Sequence, residues 1–260
     1  MCRLLAIIGI TDERVVEASL QKFGMLSNIG NVPTGILPGH KDGWGLVAYR
    51  DNQITFLEKE PSAAYESSKY VSAISQLAKL NTPLLIGHVR KASRGKKAME
   101  NTQPYVFDSY VFCHNGTIFN HKENLPIEPK FVTSIRGETD SEMLFFWFIQ
   151  TIKKNKGISD GFEEGARKLH SMKYSAANIL MSDGNILFAM REANDRDVDA
   201  NRKILCDTYY TLFQGKDISG TTKFICSQKL DIPDIIWIEI PNHTILTINT
   251  KSREEKTVSL

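Results

Sequence analysis

The apolar runs of this 260-residue chain come in blocks joined by tight turns, and that grouping argues against a strict alternation of strands and helices. Arg3 to Gly9 reads as a buried strand. Trp44 to Tyr49 and Ile54 to Leu57 flank Arg50-Asp51-Asn52-Gln53 as a hairpin. Leu84 to Val89 and Tyr110 to His114 read as two more strands, each running into polar and small residues where chemistry could sit. After a helix around Gly161 to Met172 the chain becomes a series of short strands, with Asp183-Gly184 turning between Ile179 and Phe188. Blocks and hairpins of this kind favour a mixed α+β layered fold over a doubly wound one.

The remaining helices follow from spacing and caps. Thr11-Asp12 is expected to start a helix with Val15, Ala18 and Met25 on its apolar side, followed by a loop from Leu26 to Lys41. Ser62 to Leu80 carries Tyr70, Ile74, Leu77 and Ala78 at helical period. Thr139 to Lys154 is the clearest helix, with Thr139 and Glu142 spaced as a capping box and the Phe145 to Phe148 stripe turned into the core. Trp44 also reads as core. Arg191 to Lys203 is expected to be a solvated insertion, and the polar tail from Lys251 to fray.

Composition narrows the classes of function. With 42% hydrophobic residues the chain can bury one substantial core, and a net charge of +2 gives no reason to expect a nucleic-acid partner. The first apolar stretch is too short for an export signal, and no run approaches the roughly 20 residues that cross a bilayer, so a soluble, cytoplasmic protein without a membrane partner is expected. Cys2, Cys113, Cys206 and Cys226 lack C-x-x-C spacing and read as reduced thiols. None of the six histidines falls in a recognisable ligand run; His88, His114 and His121 are as readily hydrogen-bonding residues, and neither a metal nor a cofactor is expected. His88 reads as a strand histidine that satisfies backbone groups.

Cys2 is the informative position. If Met1 is trimmed, Cys2 carries a thiol and a free α-amine on one residue, a nucleophile beside a base. The amine has an ordinary pKa of roughly 7.7 to 8.0 and the thiol about 8.5, so near neutrality the amine can accept the thiol proton directly or through a water. Taken alone, a cysteine there is better read as a small apolar residue opening a core strand. Asn115-Gly116 alone would likewise read as a type I′ turn. Arg90 alone would be a surface cation, and Asp140 a helix-dipole partner.

Four segments change those readings together: Cys2-Arg3-Leu4, Gly87-His88-Val89-Arg90-Lys91-Ala92-Ser93, Cys113-His114-Asn115-Gly116-Thr117-Ile118 and Gly137-Glu138-Thr139-Asp140-Ser141-Glu142. With Asp42-Gly43-Trp44-Gly45 and Asn120 between them, they resemble in order and spacing the class II glutamine amidotransferases, members of the N-terminal-nucleophile (Ntn) hydrolases. The resemblance covers about residues 2–145 and is closest to the stand-alone branch. It implies an Ntn-hydrolase fold, a four-layer αββα sandwich of two facing antiparallel sheets. All of 1–260 would then be one domain, with 146–260 completing the sandwich.

The resemblance also implies roles. Cys2 is the nucleophile, the Asn115 side chain and Gly116 N–H hold the oxyanion, Arg90 and Ser93 take the substrate α-carboxylate, and Asp140 takes its α-ammonium. Three positions depart from the family pattern: Arg94 and Gln103 stand where histidines are common, and Lys91 replaces an aromatic residue. These departures are expected to alter substrate preference or loop geometry rather than reaction class. The expected activity is hydrolysis of glutamine or a γ-glutamyl peptide through a glutamyl thioester. Relatives in the stand-alone branch include γ-glutamyl hydrolases of ergothioneine biosynthesis and of fungal glutathione breakdown. Two alternatives remain open: a glutaminase subunit dependent on a separate synthase or hydrolase partner, and a non-catalytic γ-glutamyl-binding module if Met1 is retained.

Overall fold

The computed structural model of the chain describes residues 2–9, 12–196, 198–218 and 220–260. Two antiparallel sheets face each other, with helices on both outer sides. The first sheet contains β1 (Arg3–Ile8), β2 (Gly43–Arg50), β3 (Gln53–Glu60) and β4 (Leu84–Arg90), together with three later strands described below. The second begins with β5 (Tyr105–Phe107), β6 (Tyr110–Ile118), β7 (Tyr174–Ser182) and β8 (Ile186–Arg191). The chain returns to the first sheet as β9 (Phe213–Asp217), β10 (Lys223–Cys226) and β11 (Ile235–Glu239), then ends in the second as β12 (Thr244–Asn249) and β13 (Glu255–Ser259). The strand orders are β11-β9-β10-β1-β4-β2-β3 and β13-β12-β8-β7-β6-β5.

Strand alternation explains the four layers. On β1, Leu5 and Ile7 point outward onto α1 (Glu13–Ile29) and α2 (Ser68–Lys79), joining Val16, Leu20, Phe23 and Leu77 in one apolar layer. Leu4, Ala6 and Ile8 point the other way and meet Val111, Cys113, Leu180, Leu187 and Ala189 of the second sheet. With both faces covered, β1 can be apolar along its whole length. The outer face of the second sheet is closed by α5 (Asp140–Lys154) and α6 (Ile158–His170), where Phe112, Phe145, Phe148, Phe162 and Phe188 stack ring on ring. The smaller α3 (His121–Asn124), α4 (Pro129–Val132) and α7 (Ala200–Thr208) lie in the connections. The α+β four-layer sandwich matches the expectation, and Trp44 and the Phe145 to Phe148 stripe are buried as expected. No helix among the described residues is long and apolar enough to cross a membrane.

Several local expectations are corrected. Thr11 lies outside the described residues; Asp12 caps α1 by accepting from Arg14 N, and the helix runs on to Ile29 instead of stopping before Leu26. Its buried face is Val16, Ser19, Leu20, Phe23 and Leu26, so Met25 points to solvent. β6 does not stop at His114; Asn115 and Gly116 continue it and pair with Asn178 and Ala177 of β7. Only half of the capping box forms. Thr139 accepts from Glu142 N at 3.2 Å, while the Glu142 carboxylate takes Arg136 N and Gly137 N at 2.9 and 2.6 Å. Arg191 to Lys203 is not simply a solvated insertion: Arg191, Glu192 and Ala193 are buried and α7 begins at Ala200, with Asp197 outside the described residues. The tail from Lys251 is tied down because β13 pairs along β12 from Thr244↔Ser259 to Ile248↔Glu255.

Candidate active site

Cys2 immediately precedes β1, a central strand of the first sheet, and shares the inter-sheet side with Leu4 and Ala6. Asn115 lies on β6 of the opposite sheet, in the alternation that turns Val111 and Cys113 inward. The two meet at the end of the inter-sheet layer, where Cys2 N donates to Asn115 Oδ1 at 2.8 Å. That bond fixes the amide orientation, since an N–H must face the carbonyl oxygen, and directs Asn115 Nδ2 away. Among the described residues this buried Nδ2 has no hydrogen-bond partner. An orphaned amide donor costs about 1–3 kcal/mol, which a ligand oxygen would recover.

Gly116 explains its own identity. Its φ of +157° and its packing leave no space for a side chain, because a Cβ would fall 1.7 Å from the carbonyl oxygen of Ala176. The β6/β7 register shifts between Gly116 and Ile118, and Asp140 captures the displaced strand by accepting from Ile118 N at 2.7 Å. The turn reading of Asn115-Gly116 is therefore excluded. Both residues belong to a bulged strand.

The other wall follows β4. Arg90 is 3% exposed, and its guanidinium donates to the carbonyls of Arg94, Gly95 and Lys96 at 2.9, 3.1 and 3.2 Å. Asp42 pins the same turn, donating its N–H to Arg90 O at 2.9 Å and accepting from Ala92 N at 2.8 Å. The turn brings Lys91 O to 3.8 Å from Cys2 Sγ. Ser93 lies across from Thr117 at 3.4 Å between hydroxyls. Cys2, Arg90, Ser93, Gly116 and Asp140 thus line one crevice, with Asn115 behind the cysteine. A larger cleft of about 580 Å3 opens beside Lys59, Phe107 and Arg136 without the nucleophile.

Two further residues support the crevice. Asn101 ties the two loops of the crevice together, donating to Lys96 O at 3.1 Å and accepting from Glu138 N at 3.0 Å. Gln103 hydrogen-bonds the backbone of His114, the neighbour of Asn115. His114 turns its ring outward, with Nδ1 2.9 Å from Ser141 Oγ and Nε2 3.3 Å from Ala176 O. His88 differs from expectation: it is fully buried, yet among the described residues neither ring nitrogen has a partner. Burial and the nearby Arg90 charge hold it well below the usual imidazole range. Burial also pushes the thiols of Cys113, Cys206 and Cys226 up, the last to about 12, so all three are poor nucleophiles near neutrality.

Residues 1–204 match the family model described as class II glutamine amidotransferases. An uncharacterised protein of Methanocaldococcus jannaschii is 32% identical over 203 residues, covering 75% of this chain and 52% of that one. The chain thus spans about half the length of this relative. The glutamine phosphoribosylpyrophosphate amidotransferase of B. subtilis superposes on 99% of this chain and 49% of its own, with TM-score 0.67 and 18% identity. A glutamine aminotransferase class-II domain protein from Silicibacter pomeroyi matches 100% of this chain and 99% of its own, with TM-score 0.62 and 17% identity. The two structures share the fold, and the family match runs from the cysteine strand through both walls of the crevice: the chain belongs to the class II glutamine amidotransferases.

Proposed function

We propose that the chain hydrolyses a γ-glutamyl amide, either glutamine or a γ-glutamyl peptide, with the sulfur of Cys2 as nucleophile. Met1 lies outside the described residues, and its removal is part of the proposal. The freed α-amine of Cys2 takes the thiol proton, and the thiolate attacks the γ-carbonyl. Asn115 Nδ2 and Gly116 N–H receive the oxyanion. Ammonia or an amine then leaves with the transferred proton, and water resolves the glutamyl thioester to glutamate. Arg90 with Ser93 holds the α-carboxylate. Asp140, whose Oδ2 is committed to Ile118 N, offers Oδ1 to the α-ammonium. One observation carries this reading: Asn115 bonds Cys2 through Oδ1 and presents beside it a buried Nδ2 that has no partner among the described residues.

The test is incubation with an electrophilic glutamine analogue, followed by mass spectrometry of the N-terminal peptide and of the intact chain. A single adduct on Cys2 of a chain lacking Met1 is expected. Labelling of Cys113, or full turnover by a chain that keeps Met1, overturns the reading. Replacement of Cys2 by Ala should abolish turnover. Retention of Met1 without turnover would instead favour a binding module.

A second reading is an ammonia-supplying subunit that works with a separate synthase or hydrolase. It is favoured by the B. subtilis amidotransferase, where the matched fold is 49% of a longer chain. Glutaminase activity that rises only with a co-purifying enzyme would select it. Either role suits a cytoplasmic protein, which fractionation of the native cells would check.

A further inference from the structure

Away from the Cys2 crevice, His170, Glu192 and His243 bring their ligand atoms within 4.8 Å of one another. They come from three parts of the chain: His170 closes α6, Glu192 follows β8, and His243 precedes β12 with a left-handed φ of +58°. The Glu192 carboxylate is completely buried. His170 Nδ1 lies 3.0 Å from its Oε1, and His243 Nδ1 lies 3.0 and 3.1 Å from its two oxygens. The imidazoles meet edge to face at 5.2 Å, and Tyr174 donates its hydroxyl to the same carboxylate.

We propose that His170, Glu192 and His243 bind one divalent metal ion of the zinc class. Two imidazole nitrogens and a carboxylate are the donors such ions prefer. Ligand bonds of about 2.0–2.2 Å in tetrahedral geometry separate neighbouring donors by about 3.4 Å. The His–Glu separations of 3.0–3.1 Å need to open by only a few tenths of an ångström, while the two imidazole nitrogens, within 4.8 Å of each other, draw together around the ion. The outer partner also fits: His243 Nε2 lies 3.0 Å from Asp195 Oδ1. Asn242 Nδ2 also lies 3.2 Å from that nitrogen; in the tautomer that donates Nε2–H to Asp195, the Nδ1 lone pair is aimed inward, the carboxylate–histidine–metal arrangement. That tautomer sets a lone pair against a buried carboxylate unless a cation lies between them. The imidazoles are about a quarter exposed, so an ion reaches the site from solvent.

The site's place in the fold assigns it a clamping role. Glu192 O accepts from Ala177 N at 2.6 Å, and Ala193 bridges Ala176, whose carbonyl abuts Gly116. A metal here ties α6 and the turn before β12 to the strand ends behind the oxyanion strand, without entering the crevice.

The tag-free full chain, stripped with chelator and dialysed, is titrated with Zn2+ against a chromophoric chelator and with Co2+ by visible absorption. Expected are one equivalent per chain, a Co2+ spectrum of tetrahedral or five-coordinate type, and a Tm rise of roughly 5–10 °C at a hundredfold excess of Zn2+ over Kd. His170→Ala and His243→Ala should each weaken Zn2+ binding at least a hundredfold while Cys2 still takes the glutamine analogue. Both side chains are partly exposed, so at least one variant should fold. Should neither fold, the wild-type titration decides. Absence of stoichiometric uptake at 10-fold excess metal at about 10 µM, or uptake unchanged in a folded variant, overturns the site.

Discussion

Gln103 hydrogen-bonds both backbone groups of His114: the His114 N–H donates to Oε1 at 2.6 Å, and Nε2 donates to the His114 carbonyl at 3.3 Å. β5 and β6 pair Tyr105 with Phe112, and the same register carried on would set Gln103 opposite His114. The Gln103 side chain therefore completes strand pairing one residue before Asn115.

A primary amide can donate and accept at once, whereas a carboxylate cannot donate. Gln103→Ala should strand two backbone groups at about 1–3 kcal/mol each if water cannot reach them. The expected result is a lower Tm and turnover reduced about tenfold, with Gln103→Glu also impaired. Thermal unfolding and kcat together check this. Wild-type kcat in Gln103→Ala would show that His114 does not need this support to position Asn115. Gln103 thus has a geometric role as the strand partner of His114.

Asn115 separates two roles through two substitutions. Asn115→Asp keeps an oxygen for Cys2 N but loses the donor, and Asn115→Ala loses both. Each should lower kcat at least about a hundredfold, as removal of an oxyanion donor does. Only Asn115→Ala should also disturb the anchoring of Cys2, read as slower labelling by the glutamine analogue. Near-normal kcat in Asn115→Asp would remove the side chain from the oxyanion scheme.

Gly116→Ala tests the close approach of two strands. A Cβ 1.7 Å from the Ala176 carbonyl cannot be accommodated by a rotamer change, so β6 and β7 must separate. Loss of at least about 3 kcal/mol, or failure to fold, is expected. An alanine variant with wild-type urea midpoint would contradict the packing described for this strand.

The parts legible in the sequence were those set by local chemistry. Asp51-Asn52 takes up positive φ between β2 and β3, as a two-residue hairpin demands, and Thr139 caps α5 where the spacing placed it. The crevice residues Cys2, Arg90, Ser93, Gly116 and Asp140 were recognised from their order and resemblance, and they meet in space. What stayed hidden depends on register between distant strands. Asn115-Gly116 looks like a turn until β7 is laid beside it, and nothing local tells Gln103 that it will face His114. Glu192 reads as one more surface charge until His170 and His243 arrive from 22 residues before and 51 after.

Acid stability follows in part from three histidines that are at most 1% exposed. Burial, with Arg3 close by, drives His40 down to about 2; burial and Arg90 lower His88; burial lowers His114 against the opposing pull of Asp140. Each therefore takes up its proton at a lower pH in the fold than in the unfolded chain, whose imidazoles titrate near about 6.5. Because the folded pKa is depressed, the stabilisation is present above about pH 6.5 and is lost as the pH falls. For His40 the loss from pH 7 to pH 5 is about 2 kcal/mol, and His88 and His114 add to it in the same direction. Glu142 offsets part of it, since burial raises its carboxyl and the fold binds that proton earlier. Urea midpoints at pH 7, 6 and 5 should fall steadily. His40→Gln, which can still face Leu26 O and the Tyr209 hydroxyl, should reduce the slope by about one proton. Equal midpoints at pH 7 and pH 5 would mean that these rings are protonated inside the fold, and that the inter-sheet layer around His88 admits water or an anion.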